Sequence, residues 1–260
     1  MGGAERAERK RKQQAVRTAP AAAPRADQGL SRGTVLGIAV AVLITLVVGI
    51  GLWLQHGGGL GDLPPTIPVA APGPAYPVDL QGNVVVIGQT DAPVTIDVYE
   101  DFLCSGCGQF EQLFGDQLEE AAANGQARVV YHPVAILDHL SEPAGYSTLT
   151  AGAAFCAAEA GIFPRFHDSL FATQPRGGGP VWSPAQLEQL GRDLGVGDGF
   201  ARCLQAGDEQ RVSTATDDAR ERLSKLRPED RFGTPTILVN GEVTDPSDQG
   251  WLDEALAAAR

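Results

Sequence analysis

The chain has 260 residues, 43% hydrophobic and 20% charged, with a net charge of −12. That composition is ordinary for a globular protein and excludes a disordered, collagenous or small disulfide-framework chain. The charge is split: residues 1–32 hold eight Lys or Arg against three Asp or Glu, so the remainder carries −17, and an acidic body argues against nucleic acid as a partner.

The basic residues Arg6, Arg9, Lys10, Arg11, Lys12, Arg17, Arg25 and Arg32 precede Thr34 to Leu54, 21 positions without a charge. As a helix, that stretch is about 31 Å long, enough to cross a bilayer. A cleaved signal peptide is the competing reading, but its apolar region is usually shorter, about 7 to 15 residues, and the nearest Ala-x-Ala-like site, near Val69–Ala71, lies well past the span. The positive flank then predicts a cytoplasmic tail over 1–32, a transmembrane helix over 33–54 and an extracytoplasmic remainder. Residues 55–81, with Gly57–Gly59 and a run of prolines from Pro64 to Pro77, predict a linker that lifts the following domain away from the membrane.

Val84 to Ile87 predicts a first strand, and Val94 to Glu100 a second that alternates apolar and polar side chains. Phe110, Leu113, Phe114, Leu118 and Ala121 recur at helical spacing, so a helix begins at or just after Cys104. Ala127 to Ile136 predicts another strand. From 144 to 230 the pattern is helical, with Ser183-Pro184 reading as an N-cap and first-turn proline. Strand returns over Thr236 to Val239, and Asn240-Gly241 suits a tight hairpin into Glu242 to Thr244. A last helix, from about Ser247 or Asp248, buries Trp251, Leu252 and Leu256.

Cys104-Ser105-Gly106-Cys107 falls where the strand pattern gives way to the helix. The free N–H groups and positive dipole of a helix N-terminus stabilise a thiolate, which makes Cys104 the nucleophile. Cys107, about one turn on, is placed to attack a mixed disulfide formed at Cys104. Glu100 and Asp101 act against the thiolate. Asp97 is a candidate proton acceptor for Cys107, although alternation does not say which face of the strand it shares.

A strand ending in Glu-Asp-Phe-Leu-Cys-x-x-Cys, a helical insertion, and Gly233-Thr234-Pro235-Thr236 before a strand and an Asn-Gly hairpin resemble the DsbA-like branch of the thioredoxin superfamily, over roughly residues 82–260. The Leu-Phe-Ala-Thr-Gln-Pro run at 170–175 is similar to membrane-anchored or secreted members from Gram-positive-type bacteria. The resemblance implies a thioredoxin fold split into 82–143 and 231–260 by a helical domain at 144–230. It implies a cis Pro235 facing the cysteines, and substrate peptide pairing beside Thr234 and Pro235. It also implies exchange of the Cys104–Cys107 disulfide with cysteines of exported proteins, a membrane redox partner and no cofactor. Relatives commonly have proline after the first cysteine where this chain has Ser105, so the direction of electron flow stays open between a disulfide-forming oxidase and a reductant or isomerase. A binding protein stapled by its cysteines is a third reading.

Cys156 and Cys203 lie 47 positions apart in the helical stretch. An even count in an oxidising compartment favours a structural bridge, with two buried free thiols as the alternative. No metal is expected, because the cysteines lack a second C-x-x-C and His56, His132, His139 and His167 show no ligand spacing. His132, in a strand pattern before Pro133, reads as a structural histidine.

Overall fold

Val94–Glu100 forms the central strand because its branched residues Val94, Ile96 and Val98 are sealed on one face, while Tyr99 is sealed on the other. The computed structural model describes residues 63–227 and 232–258. The predicted cytoplasmic tail and transmembrane helix lie outside them. Six strands, β1 (Val78–Gln81), β2 (Val84–Ile87), β3 (Val94–Glu100), β4 (Ala127–Pro133), β5 (Thr236–Val239) and β6 (Glu242–Thr244), pair in the order β1-β2-β4-β3-β5-β6. Only β3 and β4 run parallel. Helix α1 (Ser105–Ala123) makes the crossover between them, as a parallel pair requires.

The insertion holds α2 (Tyr146–Glu159), α3 (Phe163–Ala172), α4 (Pro184–Asp193) and α5 (Asp198–Ala206), followed by α6 (Glu209–Leu226). Helix α2 is buried on nearly all sides, and its small residues Ala151, Gly152, Ala153, Ala154 and Ala157 let neighbouring helices close around it. Helix α4 begins on a capping box, Ser183 with Gln186, as its sequence predicts. The second half of α6 leaves the insertion: Ala219 and Leu223 pack with Tyr99, Val134 and Leu238 on the far face of the sheet. It covers that face of the sheet and connects the insertion to β5. Helix α7 (Trp251–Ala258) sets Trp251 against Phe110 and Phe114 of α1.

Three expectations are corrected. Strand β1 lies inside the stretch read as linker, because Val78 and Leu80 alternate with Asp79 and Gln81 and pair in register with Val84–Ile87. Residues 63–77 are extended but docked: Ile67 is buried, Ala70 N donates to Ser169 Oγ at 2.8 Å, Arg165 Nε donates to Ala70 O at 3.2 Å, and Tyr76 hydrogen-bonds Glu119. Leu113 is 56% exposed. Each helical residue turns about 100°, and position 113 falls on the flank of the stripe made by Cys107, Phe110, Phe114 and Leu118.

Candidate active site

Cys104 is the N-cap of α1, half-buried, and Cys107 is buried one turn inward; both are free thiols. Their setting is assembled from four distant segments. The carboxylate of Asp101, wholly buried, accepts from Leu103 N at 2.9 Å and Ser147 Oγ at 2.7 Å through Oδ1, and from Ile136 N at 2.9 Å and Leu137 N at 3.1 Å through Oδ2. One side chain thus ties the cysteine loop to the loop after β4 and to α2. Gln174, just past α3, donates from Nε2 to the carbonyls of Phe102 at 3.0 Å and Cys104 at 2.9 Å. It lies so close to α1 that a Cβ on Gly108 would collide with its Oε1.

The fourth segment is the loop before β5. The Thr234–Pro235 peptide is cis, and Cys104 Sγ donates to Thr234 O at 3.2 Å. Pairing of Tyr99 with Thr236 places this loop beside the end of β3, and Thr236 Oγ1 holds it by donating to Gly233 O at 2.7 Å. Gly106 permits the approach: a Cβ there would lie 3.0 Å from Pro235 Cδ and 3.6 Å from Cys104 Sγ. The structure therefore brings Cys104, Cys107, Thr234 and Pro235 together. It places Cys156 and Cys203 elsewhere, joined as a disulfide between α2 and α5.

The two thiols are electrically unlike. The Cys107 thiol, donating to the Cys104 sulfur, lowers the Cys104 pKa most; burial opposes, and the Thr234 side chain and the amides of Cys107 and Gly106 bring it down to about 6. Burial pushes Cys107 well above its ordinary value, and its hydrogen bond to Cys104 adds to that. A nucleophile that ionises near neutrality beside a thiol kept protonated is the division of labour that disulfide exchange needs.

Asp97 is not behind the cysteines. It sits on the other face of β3, paired with His132 at 2.8 Å and Arg222 at 3.2 Å, while His132 stacks on Tyr99. The carboxylate on the cysteine side is Glu100, wholly buried and 3.1 Å from His167 Nε2 through each oxygen. Burial pushes the nearby Glu111 carboxyl up to about 8, partly offset by His167. Burial pulls His167 down, but Glu100, Glu111 and Asp168 outweigh it and hold the imidazole well above its ordinary range. Glu100, Glu111 and His167 are also the described residues that could gather around a metal ion. Sequence reading missed Glu111, His167 and Gln174 as site residues; the Gln-Pro ending after α3 was the one local signal. An open groove of about 860 Å³, lined among others by Ser105, Gly108, Glu111, Asp168 and Gln174, runs beside α1.

A thiol pair at a helix N-terminus, facing a cis-proline loop and backed by an inserted helical domain, defines a DsbA-type disulfide oxidoreductase domain. The chain belongs to the thioredoxin family, whose model, described as "Thioredoxin", matches residues 81–258. Its fold is similar to reduced DsbA from Mycobacterium tuberculosis, with 28% identity and a TM-score of 0.53 over 69% of this chain and 100% of that one. It is also similar to MdbA, a thiol-disulfide oxidoreductase from Corynebacterium diphtheriae, with a TM-score of 0.60 over 78% of this chain and 98% of that one; at 18% identity the likeness is one of fold. Among curated proteins, the serine/threonine-protein kinase PknE of M. tuberculosis is 28% identical over 174 residues, which are 65% of this chain. The chain spans about 30% of the length of that relative.

Proposed function

We propose that this protein is a membrane-tethered oxidase that forms disulfides in exported polypeptides. The observation that carries the reading is the Cys104 thiol, with a pKa brought down to about 6 and seated against the Thr234–Pro235 loop. A stabilised thiolate favours the reduced form of the pair, and a pair that prefers to be reduced oxidises its clients. The uncharged Thr34–Leu54 stretch and its basic flank support the tether and an extracytoplasmic site.

In the oxidising cycle an extended client segment pairs beside Thr234 and Pro235, an edge-strand mode of recognition. A client thiolate attacks Cys104 Sγ of the Cys104–Cys107 disulfide. That S–S bond breaks, Cys107 leaves with the electron pair and takes up a proton, and a client–Cys104 mixed disulfide forms. A second client thiolate attacks the client sulfur of that bond and Cys104 leaves as thiolate. The client has lost two electrons and the dithiol has gained them; a membrane redox partner, quinone-linked, removes them again.

The size of that same shift leaves a reductant as the second reading. A pKa of about 6 lies closer to the value of about 7 for thioredoxin than to about 3.5 for DsbA. The reduction potential decides between them: more positive than about −200 mV supports the oxidase, and a value near about −270 mV makes the protein a reductant. Cys107→Ala, which lacks the resolving thiol, accumulates mixed disulfides with exported proteins in intact cells. A Cys107→Ala chain that traps none overturns thiol exchange itself.

A further inference from the structure

Glu100 of β3, Glu111 of α1 and His167 of α3 converge behind the dithiol, and the exchange chemistry leaves them without an assigned task. One ligand atom from each lies within 4.8 Å of the others. Glu100 is wholly buried and His167 is 2% exposed. Glu111 Oε1 is sealed from solvent and has no hydrogen-bond partner. An orphan oxygen of this kind carries its full desolvation cost, so it points to a missing electropositive partner.

The spacing suits a metal ion as that partner. An ion bound tetrahedrally at about 2.0–2.1 Å holds its ligand atoms about 3.3 Å apart. His167 Nε2 stands 3.1 Å from each Glu100 oxygen, a direct hydrogen bond whose proton a bound ion would displace with little movement of either side chain. On the other side of the ring, His167 Nδ1 meets Asp168 Oδ1 at 3.4 Å, the outer carboxylate that typically orients a metal-binding imidazole. The donors are one nitrogen and carboxylate oxygens, which suits a first-row dication more than calcium or magnesium, whose shells are all oxygen. Glu111 and Asp168 border the open groove beside α1, which supplies an entry route and room for a water as further ligand.

We propose that Glu100, Glu111 and His167 form a binding site for a divalent transition-metal ion such as zinc. The ion clasps β3 and α1 of the thioredoxin half to α3 of the insertion. Because the site exists only in the folded chain, its occupancy adds to folding stability. The three positions, 100, 111 and 167, share no sequence spacing, and only the packing of α3 over α1 reveals them.

The test uses the full-length chain with Cys104–Cys107 oxidised, so that the thiols cannot ligate, stripped by chelator and titrated with zinc sulfate in a calorimeter and with cobalt(II) by visible absorption. The expected result is one ion per chain, a raised melting temperature, and binding weakened at least about tenfold in both Glu111→Gln and His167→Gln. A folded wild-type chain that binds neither ion, or variants that bind as tightly as wild type, overturns the site. Should both variants fail to fold, the X-ray absorption edge of zinc on the wild type decides: an imidazole-and-oxygen shell supports the site, and a sulfur or all-oxygen shell overturns it. Disulfide exchange is assayed separately; a chain that exchanges disulfides yet binds no ion refutes this inference and leaves the proposed function intact.

Discussion

The Cys104 thiol and the Thr234 carbonyl, 130 positions apart in the chain, meet at 3.2 Å. In the protonated state the sulfur donates to that carbonyl. The Thr234 Oγ1 hydroxyl beside it is buried and unpartnered. On ionisation the sulfur changes from donor to acceptor, and the hydroxyl gains a partner. The loop proposed to receive client peptide is therefore also part of what sets the charge on the nucleophile.

The thiolate absorbance of the reduced protein should accordingly titrate with a midpoint of about 6, against about 8.5 for a free cysteine. Thr234→Val, of nearly the same shape, should move that midpoint upward. The sign for stability follows from a depressed folded pKa: the contribution is fully present above the unfolded value and is lost as pH falls through about 6. Denaturant melts should then show the reduced form gaining on the oxidised form as pH rises from about 6 to about 8.5. A stability gap that stays constant over that window would remove Cys104 ionisation as the driving force.

Asp101 anchors the cysteine loop through two donors on each oxygen. Asp101→Asn turns an amide NH₂ towards one pair of them and leaves two buried N–H or O–H groups without an acceptor. At about 1–3 kcal/mol for each, the loss should be about 2–6 kcal/mol by urea denaturation. Exchange with a model disulfide should slow as well, since Cys104 is no longer held against Thr234. A cost under about 1 kcal/mol would show that the carboxylate is not what fixes the loop.

Strand β3 and helix α1 were legible because each obeys one period over a long run: Val94–Glu100 alternates in twos, and Phe110, Phe114 and Leu118 recur in helical steps. Periodicity does not say which face of β3 lies under α1, so Asp97 could be named as a candidate while Glu100 held the position. Helix α5 lies in the stretch read as helical but shows no separate period, because it has nine residues, starts between two glycines and buries only Phe200 and Leu204. The docked segment 63–77 escaped for a different reason, as an extended chain that docks irregularly has no period to detect. The cis geometry at Pro235 came from family resemblance, since a local sequence ordinarily favours trans. Gln174 and His167 act through partners some 70 positions away, and burial of that kind exists only after packing.

The Cys156–Cys203 bridge closes a 47-residue separation and joins α2 to α5 at a distance from the reactive pair. In the chain-entropy account, cross-linking a loop of that length contributes up to about 4 kcal/mol, less whatever the unfolded chain retains. Replacing both cysteines by alanine should cost about 2–4 kcal/mol in denaturant. The Cys104 titration midpoint should not change, because neither residue touches the reactive loop. A shifted midpoint would mean that the insertion transmits strain to the dithiol.

Ile67 gives the sharpest separation between a free linker and a docked one. It is 2% exposed and belongs to the main core, although it precedes β1 in a proline-rich run that has no helical or strand period. If 63–77 were a flexible spacer, Ile67→Ala would change nothing but the unfolded chain. Docked as observed, with Ala70 hydrogen-bonded to α3 and Tyr76 to Glu119 of α1, the segment should lose about 2–4 kcal/mol on that truncation, in the range of buried Ile→Ala changes. Proteolysis reads the same difference independently: cleavage within 63–77 should be slow in the wild type and fast in the variant. Equal stability together with equal cleavage rates would return these residues to the linker, and with them the longer reach from the membrane that the sequence predicts.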